Sequence, residues 1–104
     1  MKIVVDAMGG DFAPKVNVDG AIDALREYPD MEIILVGPET LIEETISAYS
    51  NAEAMAKVRN RLTVVDAPEV ITTEEHPVMA LRRKKNSTFV VGMDIVRRKE
   101  AQAF

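Results

Sequence analysis

The stretch IVVDAMGGDFAPK (residues 3–15) runs from three consecutive apolar residues into two adjacent glycines held between aspartates, and then into a segment of helical period. An apolar run without alternation, Ile3 to Val5, is the pattern of a strand buried on both faces. Two further runs of the same kind follow at Ile33–Val36 and Leu62–Val65. Between the first two, Val18, Ala21, Ile22 and Leu25 recur at three- and four-residue spacing until the breaker Tyr28-Pro29-Asp30, which predicts an amphipathic helix. After the second run, Gly37-Pro38-Glu39 turns into a helix whose Leu41, Ile42, Thr45, Ile46 and Tyr49 share a face, with Glu39, Glu43 and Glu44 near its positive end. A shorter helix is expected over Glu53–Asn60. The alternation of strand and helix predicts an α/β fold: a three-layer, Rossmann-like parallel sheet with helices on both faces.

Beyond Val65 the character changes. Asp66-Ala67-Pro68-Glu69 leaves the third strand, Thr72-Thr73-Glu74-Glu75 leads to a helix start at His76-Pro77, and Val78–Leu81 runs into four cations, Arg82-Arg83-Lys84-Lys85. Asn86 or Ser87 is placed to cap a last helix reaching Lys99, with Phe89, Met93 and Val96 on one side and Val91 and Ile95 near them. Three parallel strands leave an uncovered sheet edge, and the apolar end Ala101–Phe104 has no element after it. Residues 1–104 therefore read as the amino-terminal α/β portion of a longer chain.

The 104 residues are 47% hydrophobic and 29% charged, enough for one core and not two. A net charge of −4 gives the whole chain no electrostatic basis for gripping nucleic acid or an anionic membrane. With no cysteine there is no thiolate catalysis or disulfide framework, and a single histidine leaves little for a metal, so neither metal nor cofactor is expected. No apolar stretch approaches the roughly 20 residues of a membrane span, and a cytoplasmic location is expected.

In open α/β sheets ligands collect outside the carboxyl ends of strands, and the first such end here is Asp6-Ala7-Met8-Gly9-Gly10-Asp11. Gly9 and Gly10 can take positive φ and let a ligand approach bare backbone, while free N–H groups ahead of a helix favour an anion such as phosphate. Asp6 and Asp11 oppose a simple phosphate cradle unless they point away, cap the helix, orient a cation or hold a proton. The stretch matches neither G-x-G-x-x-G nor a P-loop, and the second strand ends in Val36-Gly37-Pro38 without the acidic residue of a dinucleotide site. A nucleotide- or dinucleotide-binding domain is thus the alternative reading. Asp66 and Glu69 read as turn residues, and Met8 and Phe12 as either packing residues or the lining of an apolar path.

Two blocks, MKIVVDAMGGDFAP (1–14) and EEHPVMALRRKKNST (74–88), closely resemble the start of the PlsX family of bacterial acyl-acyl-carrier-protein:phosphate acyltransferases. Asn86 departs from the family's common Asp and Thr73 from its Met. The resemblance implies transfer of a fatty acyl group from the thiol of acyl carrier protein to inorganic phosphate. It also implies a homodimer, associated peripherally with the membrane when full length. Phosphate itself is the nucleophile, so the site must hold an anion, aim one oxygen at the thioester carbonyl and stabilise the oxyanion. On this footing Asp6, Gly9, Gly10 and Asp11 are the catalytic candidates, and Met8, His76, Arg82, Arg83, Lys84, Lys85 and Ser87 the substrate-binding candidates. The basic run also reads as a solvated helix end, and His76 as a capping or surface residue more readily than as a base. A non-catalytic role for the segment, docking the acidic carrier through Arg82–Lys85 and Arg97–Lys99, is compatible with the same reading.

Overall fold

The computed structural model describes residues 1–68 and 87–104. Strand β1 (Lys2–Asp6), helix α1 (Lys15–Glu27), strand β2 (Glu32–Gly37), helix α2 (Glu39–Ser47), helix α3 (Ala52–Val58) with a 3-10 turn (Arg59–Arg61), strand β3 (Leu62–Asp66) and helix α4 (Thr88–Arg97) follow in chain order. The three strands are parallel in the order β1-β2-β3, with Asp6 opposite Val36 and Gly37 opposite Asp66, so their carboxyl ends lie level.

Both crossovers step in the same direction, and right-handed connections then put α1, α2 and α3 on one face. There Val18, Ala21, Ile22 and Leu25 of α1 meet Ile42, Ile46, Tyr49 and Val58 over Ile33 and Leu35 of the central strand. The alternate residues Ile34 and Val36 face the other way and pack with Val4, Ile95 of α4 and Ala101. An apolar β2 is thus explained by burial on both faces. Each fully buried Leu, Ile or Val contributes about 1.5–3 kcal/mol relative to exposure. The Tyr49 hydroxyl, at the rim of the first core, donates to Asp23 (2.5 Å) and accepts from Arg26 (3.0 Å), so its polar end is satisfied.

The three-layer α/β expectation holds, and so do the positions of the helices that fall on described residues, with α1 burying all four residues expected of it; the helix start expected at His76-Pro77 lies outside them. Leu41 is the exception on α2, lying exposed while Ile42 and Ile46 are buried. The expectation of an uncovered edge needs a correction at β1. Beside β1, on the side away from β2, Ala103 bridges Ile3 in parallel; Val4 N–H donates to Ala103 O (2.7 Å) and Gln102 N–H to Lys2 O (2.9 Å). After α4 the chain therefore returns to the opposite side of β1, and β1 becomes the strand at which the winding direction reverses. Only a bridge marks this pairing, so short polar-apolar alternation in Ala101–Phe104 carried no strand signal.

Candidate functional site

In a doubly wound sheet the ligand crevice opens at the carboxyl ends of the strands where the order reverses, and here that point is the end of β1. Asp6 terminates the strand, and the loop through Gly10 leaves it. Among the glycines, Gly10 has the one positive φ among the described residues, 88°, and a Cβ built there meets nothing within 4 Å. Among the described residues nothing crowds it, so the backbone angle is what calls for glycine there. Gly9 does not share the positive φ expected for it. Its N–H makes a long bond to Asp6 O (3.4 Å), and both glycines are exposed.

The Asp6 carboxylate is engaged at both oxygens. Oδ1 accepts from Met8 N–H (2.8 Å) and Oδ2 from the Thr88 hydroxyl (2.9 Å) at the first turn of α4. Thr88 is 2% exposed and Ser87 fully buried. Ser87 is the N-cap of α4, its hydroxyl accepting from Val90 N–H at 3.3 Å. From the other face of the sheet, the Asn17 side-chain amide on α1 donates to Gly9 O (2.6 Å) and Ala7 O (3.0 Å), with Asp6 O at 3.4 Å. The loop is therefore gripped from both layers of helices. Met8 leans over the end of β2, where a Cβ on Gly37 would lie 3.3 Å from its Cγ and 3.0 Å from Ile42. Asp11 and Phe12 are exposed.

The structure thus brings Asp6, Met8, Gly9, Gly10 and Ser87 to one end of the sheet, with Asp11 at its solvent edge. His76, Arg82, Arg83, Lys84 and Lys85 lie outside the described residues, as do Glu69 and Asn86. Asp66, expected in a turn, is instead the last residue of β3, and its Oδ1 accepts from Glu39 N–H (2.9 Å) at the start of α2. Sequence reasoning missed Asn17 and Thr88. Asn17 stands one residue before the apolar helix pattern begins, and Thr88 follows a cap residue, so both read as ordinary helix-start polar residues. No group of acidic or histidine side chains among the described residues is arranged to hold a metal ion.

The described part of the site is a backbone loop at a doubly wound switch point, with two exposed glycines. The whole chain, residues 1–104, matches the family described as fatty acid synthesis protein, and it belongs to that family. It is 46% identical over 103 residues to the phosphate acyltransferase of Clostridium novyi (strain NT), and 46% identical over 103 residues to that of Alkaliphilus oremlandii (strain OhILAs). With the phosphate acyltransferase of Clostridium tetani (strain Massachusetts / E88) it shares 45% identity over 102 residues. These alignments cover 98–99% of this chain and 29% of each relative, so the chain spans under a third of the length of the proteins it matches.

Proposed function

We propose that this chain forms the phosphate-proximal part of the active site of an enzyme that transfers a fatty acyl group from acyl carrier protein to inorganic phosphate, for bacterial phospholipid synthesis. The observation that carries the reading is the exposed Gly9–Gly10 backbone at the switch point, in a chain whose relatives are named phosphate acyltransferase. A phosphate oxygen attacks the thioester carbonyl, the C–O bond forms, and the C–S bond breaks as the carrier's thiol leaves with a proton. Acyl phosphate is the product. The chain's share of this is positional: glycine N–H groups of the loop hold phosphate or the tetrahedral oxyanion, and Met8 flanks the acyl carbonyl. Arg82 to Lys85 are the proposed cationic donors to phosphate. Asp11, at the solvent edge, and Ser87, capping α4, border the same crevice. The reading carries with it a homodimer and peripheral association with the membrane in the full-length protein.

The dinucleotide alternative gains nothing from the geometry, since β2 ends in a glycine packed under Met8 and Ile42 and offers no carboxylate for a ribose. The test is phosphate-dependent turnover of long-chain acyl carrier protein by this chain and by a chimera in which residues 1–104 replace the matched stretch of the Clostridium novyi relative. We expect an active chimera and an inactive isolated chain, because parallel-sheet sites draw on several strand ends and few are present here. An inactive chimera that folds and binds the carrier defeats the proposal.

A further inference from the structure

The Asp6 carboxylate lies at the centre of the site and invites an acid–base role, yet both of its oxygens are already hydrogen-bonded, to Met8 N–H at 2.8 Å and to the Thr88 hydroxyl at 2.9 Å. Asp6, the last residue of β1, and Thr88, on the first turn of α4, lie 82 residues apart in sequence. Thr88 is 2% exposed and Asp6 half-buried, so the hydroxyl has little access to water as an alternative partner, and its bond to a charged group is of the stronger kind. On the opposite side Asn17 holds the loop's carbonyls, with Gly9 O at 2.6 Å and Ala7 O at 3.0 Å. The loop's amides are fixed as well: Ala7 N–H donates to Val36 O (2.9 Å), Met8 N–H to Asp6 Oδ1 (2.8 Å) and Gly9 N–H, at long range, to Asp6 O (3.4 Å), so the backbone leading to Gly10 is held on every side.

We propose that Asp6, Thr88 and Asn17 are positioning residues that clamp the Gly9–Gly10 loop from both helix layers, and that Asp6 transfers no proton in the reaction. The inference rests on the reading of the loop as the phosphate site. Thr88 and Asn17 never touch substrate in this arrangement; they act by fixing the backbone that presents Gly10 before phosphate arrives. Phosphate contacts made equally in the ground state and transition state show in KM and not in kcat.

Two measurements test it separately. In the chimera, Thr88→Val, which keeps shape and removes the hydroxyl, should raise the phosphate KM about ten-fold with kcat within about two-fold, the scale of one lost hydrogen bond to a charged group. Thr88→Ser should restore the parent value, Asn17→Ala should behave like Thr88→Val, and Asp6→Asn should leave the pH–rate profile without a lost ionisation. An unchanged phosphate KM in both Thr88→Val and Asn17→Ala, a Thr88→Ser variant as impaired as Thr88→Val, or a pH–rate limb that vanishes in Asp6→Asn overturns the proposal. In the chain itself, amide exchange at Met8, Gly9 and Gly10 should accelerate in Thr88→Val while Leu35 in β2 stays protected. Uniform acceleration, or none, means that the bond does not clamp the loop. If the parent chimera lacks phosphate-dependent transfer, the functional reading falls while the exchange measurement still decides the clamp.

Discussion

Gly10 gives the sharpest quantitative test of how the loop is built. Its φ of 88° lies where an L-residue pays strain, and no neighbouring atom stands within 4 Å of the Cβ position. The penalty for a substitution there is therefore conformational and free of any clash. We take about 2 kcal/mol for an alanine, the upper end of the left-handed penalty, because 88° lies beyond the centre of that well. Alanine also restricts the unfolded chain, which returns about 0.4–1 kcal/mol. The net destabilisation of Gly10→Ala is then about 1 kcal/mol, or roughly 4–8 °C in Tm for a chain of this size. Gly10→Val should lose more, since branching at Cβ narrows the choices further, and Gly10→Asn less, since asparagine tolerates the left-handed region. Urea denaturation followed by far-UV circular dichroism, with the m-value held common, measures the series. A flat series, or Gly10→Ala as stable as the parent, would refute the conformational account. A Gly10→Val chimera should in addition lose phosphate-dependent turnover well beyond its loss of stability, because the branched side chain fills the approach to the loop.

Three further outcomes follow from named contacts. Arg61 donates to Leu25 O (2.7 Å), Tyr28 O and Met31 O (both 3.0 Å), tying the end of α1 to the entry of β2; Arg61→Ala should cost about 2 kcal/mol in urea unfolding and Arg61→Lys should recover less than half, whereas a loss below about 0.5 kcal/mol would remove the clamp from the account. The hydrogen bond from Arg97 holds the exposed Asp94 carboxyl below its ordinary value of 3.8; desolvation opposes it, and the charges of Arg97 and Arg98 add to the lowering. Its folded-state pKa is depressed, so the pair's contribution is complete above that ordinary value and fades as pH falls through the lowered one; in Arg97→Ala the carboxyl titration seen by NMR should move back up toward 3.8, and an unmoved midpoint would exclude Arg97 as the cause. Finally, Phe89 and Met93, each 46% exposed, line a depression of about 560 Å³ on α4, and the 41%-exposed Phe104 ring lies 6.0 Å from that of Phe89. We expect the chain to self-associate through this face at micromolar concentration and to ignore anionic liposomes, which sedimentation velocity and vesicle flotation respectively check.

Much of the fold was legible without coordinates because it is written in local period. Uniform apolar runs marked β1, β2 and β3, a 3.6-residue period marked α1, and of the two cap candidates, Asn86 and Ser87, it is Ser87 that caps α4. The loop's location at a strand end was legible for the same reason. Three things were not. Which glycine carries the strained angle depends on the path from β1 to α1, and two adjacent glycines look alike in sequence. The return of residues 102–103 to the far edge of β1 is a pairing across a hundred residues, with too few residues in it to show a period. The use of Asp6 is decided by Thr88, which reaches it only after two crossovers and a change of sheet face. Sequence determines which residues can be strand, helix, cap or bare loop, since those depend on neighbours three or four positions away. Whether a carboxylate is a free acid or a clamp depends on what folds against it, and that was settled only when α4 packed over β1 and brought a buried hydroxyl to an oxygen that the sequence leaves open.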